Sequence, residues 1–514
     1  DGYGKVLLDG ANSYNGNTNI YTGTLQINNT SQATQTNIYQ NGRLEGTGTF
    51  LEITTNAGIL APGSDSNPFG TMTINGSYTG TSGGTVEIKS VLGDNSSPTS
   101  VLNITGTVNS AVPTDIKVIN VGGSGGYTTG NGILIIETGS SAATDFRLAY
   151  DYLMADGTTA VVGGMQLYKL VQVSNNWYLQ SLYAANPAVP VYEAGVLVFA
   201  HFNKMPTLQQ RVGNRTWFNT FQCNTDNRFY DYKGLWIRMD STIGHYEPKV
   251  SEVDVDYNMI AGHVQGGLDV PFYFDAGNNT ALYWGVYIDY GYVNADINSQ
   301  IGDGKVMTDA ISLGSTLTLY AKNDVYADIN AKATQLFHSR MESKVLVAPY
   351  QMKGNAGYAF AVGIEAGKKI NTEGAWSFTP QVQLVYSDLD LKSFTDPHNN
   401  HLSLEKGNSL MGRLGLAVSK ESMNLSGCCT VTRSKIYALM NIYYEFLDDM
   451  VLHLNNYKIY TAHQKLWGGL ALGGTHNWQD DKYSIYGEVN ARSSIENFAD
   501  SYDLELTIGF RSRF

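Results

Sequence analysis

The last residues of the chain alternate strictly. Leu504, Leu506, Ile508 and Phe510 fall on one side of an extended backbone together with the terminal Phe514, while Glu505, Thr507, Gly509, Arg511 and Arg513 fall on the other. A period of two with a charged second face is what a strand needs when one side meets hydrocarbon and the other a polar lumen. A soluble core strand would tolerate two arginines and a glutamate in that register only if its other face were wet. The alternation recurs upstream. Tyr483, Ile485 and Val489 oppose Ser484, Glu488, Asn490 and Arg492. Ile436, Ala438, Met440, Ile442, Tyr444 and Phe446 oppose a face holding Asn441 and Glu445. Tyr358, Phe360, Val362 and Ile364 oppose Ala359, Ala361, Gly363 and Glu365. Further segments centre near Leu235, Met259, Trp284, Ile311, Val325, Trp376, Leu410 and Leu466, which makes twelve strands between about 216 and 514. An even count is what bacterial membrane barrels require.

The links between these segments alternate as well. Ala321–Asp324, Asn371–Gly374 and Gln479–Asp481 read as tight turns, and His338–Asn355, Asp388–Ser409 and Asp448–His463 as long polar loops. Short links on one side and long ones on the other suit a barrel whose first strand starts in the periplasm. Two links on the short side, near Phe274–Thr280 and Glu421–Arg433, are expected to be longer than that scheme prefers. A soluble sandwich or propeller is the competing architecture. Against it stand Tyr290, Tyr292, Trp376, Trp467 and Tyr483, an aromatic load that fits girdles at membrane interfaces.

Upstream the pattern changes twice. Pro187 and Pro190 precede a mixed apolar run to Asn203, Pro206 interrupts, and Thr207–Gly213 resumes with helix formers, which predicts one helix with a break over 187–215. The first 186 residues show short β-branched runs, such as Thr71–Ile74, Thr85–Ile88 and Ile133–Ile136, punctuated by NG, GG and SG turns. Short strands repeated between polar turns predict a right-handed parallel β-helix, in which each coil buries a narrow stripe against the next; a disordered polar stalk is the alternative. The fold class is therefore all-β: a β-helical stem (1–186), a lumen-spanning helix (187–215) and a twelve-stranded antiparallel transmembrane barrel (216–514).

Composition narrows the function classes. Charged residues make up 15% and the net charge is −13, which excludes a nucleic-acid partner that would need basic groups to release counterions. No apolar run approaches the roughly 20 residues of a spanning helix. No signal peptide opens the chain at Asp1, as expected of a mature form or an excised part. Cys223, Cys428 and Cys429 are too few for a disulfide scaffold and are expected to be free thiols. Gly80-Thr81-Ser82-Gly83-Gly84 has the look of a serine-nucleophile loop, but no His precedes His201, so no base stands near it in sequence. Gly122–Gly126 is a flexible turn without the context for phosphate binding. His398 and His401 are three apart in a polar loop without evident partners, so no metal site, cofactor or catalytic residue is assigned.

Four stretches carry a resemblance. Leu8–Thr18 (LDGANSYNGNT) with Gly23–Gln26 is similar to a passenger-associated repeat; Leu60–Gly63 (LAPG) with Gly70–Tyr78 (GTMTINGSY) resembles an autochaperone-like rung; Gly122–Ile136 and Asn176–Ser181 resemble that region's closing rungs. Pro190–Trp217 (PVYEAGVLVFAHFNKMPTLQQRVGNRTW) resembles the helical linker at the entrance to a translocator barrel. The chain is identified as a member of the type Va autotransporters, adhesin-like, with a pertactin-like passenger end. It departs from the pattern at Pro62-Gly63-Ser64-Asp65, where the family's usual motif is Pro-Gly-Asn-Ser.

The resemblance implies an outer-membrane barrel, placed by the barrel assembly machinery with periplasmic chaperones, that carries its passenger to the cell surface for adhesion or self-association. The surface ligand, from a host cell or another bacterium, is undefined. The alternative is a translocator whose secreted passenger, a protease or esterase, has its catalytic part upstream. The periplasm holds no ATP, so passenger folding outside would bias direction. If the helix plugs the lumen, Glu193, Arg211 and Arg215 meet a wall bearing Glu365, Glu445, Glu488 and Arg511; otherwise they are solvated at the periplasmic mouth. Phe510 and Phe514 are expected to form the assembly signal.

Overall fold

The computed structural model describes residues 4–214, 233–275, 280–372, 374–426 and 430–514. Arg215 and the three cysteines lie outside the described residues, and with them the expectations of an Arg215 contact and of free thiols.

The stem is built by stacking. Leu25 pairs with Leu44, Leu44 with Leu60, Leu60 with Val86, Val86 with Ile116 and Ile116 with Leu148, each in a parallel register. A second ladder runs Phe50–Ile74–Ile104 and a third Ile53–Tyr78–Val108. One coil cannot cover its own apolar stripe, so each position repeats a large hydrophobe above and below it. Parallel pairing extends to Phe146–Ala149. Beyond it Thr159–Gly163, Gln166–Val173 and Asn176–Ala185 pair antiparallel, and the last turns back onto Ile133–Ser140. Asn176–Ser181, expected as a rung, is thus the return strand of a hairpin. Its cause is local: Val173 pairs with Asn176, leaving a two-residue turn in which Ser174 takes φ 55.

Two helical pieces follow, α1 (Val189–Ala200) and α2 (Leu208–Val212), with a single 3₁₀ turn at His201–Asn203. Pro206 has no N–H to continue a helix, and the pieces part there. Thr207 restarts the helix through a reciprocal capping box with Gln210.

Twelve strands then close a barrel around the helices: β1 (Gly234–Tyr246), β2 (Asp256–Asp275), β3 (Thr280–Asn298), β4 (Gly304–Ala321), β5 (Val325–Ser343), β6 (Gly357–Lys368), β7 (Trp376–Leu391), β8 (Asn408–Ser426), β9 (Thr430–Glu445), β10 (Leu466–Trp478), β11 (Tyr483–Ser494) and β12 (Tyr502–Arg513). Sequential neighbours pair antiparallel, and β1 pairs with β12. Closure leaves no strand edge unpaired at membrane depth, where no water would satisfy it. Along β12, Leu506 is 46% exposed and Thr507 1%. The outer face is therefore the apolar one.

The links differ from expectation in two ways. The short-side link near 421–433 is mostly strand, since β8 runs to Ser426 and β9 starts at Thr430, while of the link near 274–280 only its two ends, in β2 to Asp275 and β3 from Thr280, lie among the described residues. The long polar loops are also structured. Phe394–Thr395, His401–Lys406, Met450–Leu454 and Tyr457–Thr461 form a separate four-stranded sheet outside the barrel. Runs this short give too few alternations to read as strands.

The register makes a depth-dependent expectation. Leu506→Arg, near the mid-plane, should cost about 2–4 kcal/mol of unfolding free energy, and Ser512→Arg, at the periplasmic end of the same face, about 0–1. Unfolding titrations in lipid vesicles measure both. Equal costs would contradict the lipid-facing assignment.

Candidate functional site: the plugged lumen and the stem collar

A helix broken inside a pore exposes backbone groups that its own turns no longer satisfy. The barrel wall supplies the partners. Lys332 Nζ donates to the Lys204 carbonyl at 2.9 Å, and Gln383 Nε2 donates to the Pro206 carbonyl at 3.4 Å. The Leu208 amide, orphaned at the start of α2, donates to Glu365 at 3.0 Å. Glu365 also accepts from Tyr326 at 2.7 Å and lies 3.5 Å from Arg413. At the far end Arg511 Nη1 donates to the Val212 carbonyl at 2.9 Å, and the Tyr486 hydroxyl to the Arg211 carbonyl.

Side chains complete the fastening. Arg211, buried, meets Asp328 at 2.5 Å and Asp269 at 3.8 Å, and donates to Thr316 and Thr318. Gln210 donates to Glu488 at 2.9 Å, which also accepts from Tyr437. Lys204 pairs with Glu505 at 2.9 Å. A cavity of about 290 Å³ remains beside the break, lined by apolar side chains such as Leu197 and Met205 together with His201, Asn203 and Arg413. Higher up, contact is by close approach. A Cβ on Gly195 would lie 2.4 Å from the Met341 side chain, and one on Gly304 would lie 2.0 Å from Val191.

Of the residues singled out by sequence, Arg211, Glu365, Glu488 and Arg511 gather around α2. Glu445 does not join them: it accepts from Ser409 and from the Leu410 and Leu447 amides, so it closes the β8–β9 outer ends rather than the plug. Glu193 also meets no wall acid or base among the described residues. It sits at the outer mouth and accepts from Ser251 and the Glu252 amide of the β1–β2 link. Phe510 stacks on Tyr483 and packs at a tilt against Trp478 on the outer face, and Phe514, exposed, donates its amide to the Lys233 carbonyl. Ser82 stands in an exposed turn between Tyr78–Gly80 and Thr85–Ser90. Asp328, Asp269, Lys332 and Lys204 were missed. The first three stand at inward positions, so strand parity counted from Ile329 or Leu268 would have found them.

Outside the membrane the barrel's long links close on the end of the stem. Asn400, fully buried, accepts from Asn120 at 3.3 Å, from the Gly164 amide at 3.0 Å and from Asn455 at 3.3 Å. Its amide nitrogen donates to Asp396, which also takes the Tyr192 hydroxyl of α1 at 2.7 Å. Asn455 donates to the Gly123 carbonyl, and the Val347 amide to the Asp151 carbonyl. One apolar core runs through all three parts, from Val162 and Leu167 in the stem through Leu402 and Leu452 in the loops to Val196 in α1. His398, expected to lack partners, is buried and lies 3.4 Å from Asp151. No metal-holding cluster occurs among the described residues.

Comparison with known proteins follows these parts. The autotransporter beta-domain model matches residues 235–490, and the autochaperone domain type 1 model residues 49–158. The adhesin BmaC autotransporter of Brucella suis is 34% identical over 539 aligned residues, covering 100% of this chain and 15% of that protein. The pertactin autotransporter of Bordetella parapertussis is 30% identical over 134 residues, 25% of this chain and 14% of that protein. The chain thus spans a small part of these relatives' length. Among solved structures, the transport unit of AIDA-I from Escherichia coli has 11% identity and a TM-score of 0.46, covering 65% of this chain and 100% of that one.

Two outcomes test the geometry. Arg211→Ala strands Asp328 and Asp269 without their cation, which for a buried pair costs about 3–5 kcal/mol. Planar-bilayer recordings should then show open-pore events that the parent protein lacks, and unaltered closure would remove Arg211 from the plug. The second concerns pH. Burial opposes charge on His398, but Asp151, with Asp396 behind it, outweighs that and holds its pKa above the usual value. The clasp is at full strength below the ordinary His range near 6.5 and is lost as pH rises through the raised value. Protease resistance of the 151–165 segment should fall over that rise, and His398→Gln should flatten the dependence.

Proposed function

The chain belongs to the autotransporters, and on that premise we propose that it is the export end of a surface adhesin, with its barrel and plug passing the upstream passenger outward and its stem folding first. The observation that carries this reading is the collar. The barrel's outer links bind the stem at 120–124, 151–152 and 164, within its C-terminal third. Chain emerging there meets a preformed sheet and a buried hydrogen-bond hub, and each later coil can add to the one below. Folding outside then opposes backsliding without a nucleotide. The reading is non-enzymatic: the passenger serves adhesion, which the name of the Brucella relative gives for that protein, or self-association. The barrel assembly machinery and periplasmic chaperones would act before this stage, with Phe510 and Phe514 as the signal they read.

Pulse-labelling of intact cells with external protease tests the proposal. Asn400→Leu with Asn455→Leu strips the Gly164 amide of its acceptor, at about 1–3 kcal/mol for a buried group, and removes the bonds that Asn120 and the Gly123 carbonyl make to the loops. The protease-resistant stem should appear at the surface severalfold more slowly, while heat-modifiable mobility reports an intact barrel. Parental kinetics in the double variant, or a stem reached only after the outer membrane is opened, would refute it.

A further inference from the structure

We propose that the outer wall across β4 to β7 is a binding site for a phosphorylated, multiply acylated lipid of the outer leaflet, whose phosphates sit on Arg340, Lys353 and Lys392 and one of whose acyl chains lies in the groove beneath. The proposal rests on the outer-membrane placement of the barrel, not on what the passenger does.

The groove follows from the register. Leu313 of β4 pairs with Ala333 of β5, and Ala333 pairs with Phe360 of β6. A small residue between two large ones leaves a furrow of about 570 Å³. The next row outward is Ile311, Gln335, Tyr358 and Asp390. Asp388 and Asp390 stand exposed on the same outer face of β7. Carboxylates there are tolerable near the interface and costly deeper, so they mark where hydrocarbon ends. The furrow therefore opens upward at the level of lipid headgroups.

Lys392 stands at that opening, and Arg340 and Lys353 stand further out along β5, beyond Gln335. Lys392 Nζ lies 5.5 Å from the Tyr358 ring centre, and Lys353 Nζ and Arg340 Cζ lie 5.5 Å and 5.8 Å from that of Tyr350. Arg340 and Lys353 face each other directly across the β5 edge. Like charges so placed repel. None of the three has a carboxylate in ion-pair range among the described residues, whereas Lys249, Lys344, Lys458 and Lys465, elsewhere on the outer side, each pair with one. An arrangement unfavourable by itself becomes favourable when an anion enters between the charges. Asp388 and Asp390 bound the set on the β7 side, so the phosphate seats toward Arg340 and Lys353. Cations at headgroup level above an acyl-sized furrow match a phosphorylated lipid in both charge and shape.

Native mass spectrometry of the full chain in detergent, titrated with bisphosphorylated hexa-acyl lipid A, tests the assignment. One lipid should be retained per chain. Retention should weaken at least about tenfold for the dephosphorylated lipid and for the Arg340→Gln/Lys353→Gln/Lys392→Gln variant. It should weaken for Ala333→Phe, which fills the furrow, and stay at parental level for Lys344→Gln/Lys465→Gln. Heat-modifiable mobility shows that each barrel has folded. Parental retention in the triple variant or in Ala333→Phe overturns the proposal, as does complete displacement of the lipid by millimolar inorganic phosphate.

Discussion

A chain that passes through its own barrel must leave no backbone group unpaired in the lumen, and the break at Pro206 is where that requirement is hardest to meet. A continuous helix would satisfy itself, but one interrupted inside a pore frees carbonyls before the break and amides after it. At the Lys204 and Pro206 carbonyls and the Leu208 amide the wall answers with Lys332, Gln383 and Glu365, and at the far end of α2 Arg511 meets the Val212 carbonyl. The inward strand positions are thus selected by the helix as much as by the barrel, which explains why so many of them are charged and buried. The outward positions answer only to lipid, so they carry the clean alternation.

The same logic continues outside. Above the membrane the barrel's strands give way to a small sheet and to loops whose polar atoms turn inward toward the stem. Asn400 joins three parts of the chain through one buried amide, linking Asp396 and Tyr192 on one side with Asn120 and Gly164 on the other. An apolar core passes through the junction unbroken. Stem, helix and barrel are held by contacts of the kind found inside a single domain. A stack of coils needs a cap at its end, and here the barrel's loops provide it.

What the sequence disclosed was set by range. Lipid-facing strands have a period of two over ten residues or more, so the twelve barrel segments and their order were legible from alternation, and Pro206 marked the break. The aliphatic ladders of the stem were visible as short β-branched runs. The collar was not legible. His398, Asn400 and Asn455 lie in stretches that look solvated, and their partners Asp151, Gly164 and Gly123 are more than 200 residues away. Nothing local marks a polar loop residue as buried. The plug fell between these cases. Arg211 was evident as a cation on the helix, but among the many polar inward positions only three-dimensional register selects Asp328 over Glu445.

The claim on which this account turns is that the wall's side chains satisfy the broken helix. Hydrogen–deuterium exchange of the full chain in lipid nanodiscs, resolved to the peptide covering residues 204–213, addresses it directly. The amide of Leu208, which donates to Glu365, should be protected to the same degree as those of the surrounding strands, and Glu365→Ala should release it. Exchange of that peptide at the rate of an exposed loop, beside fully protected strands, would contradict the account.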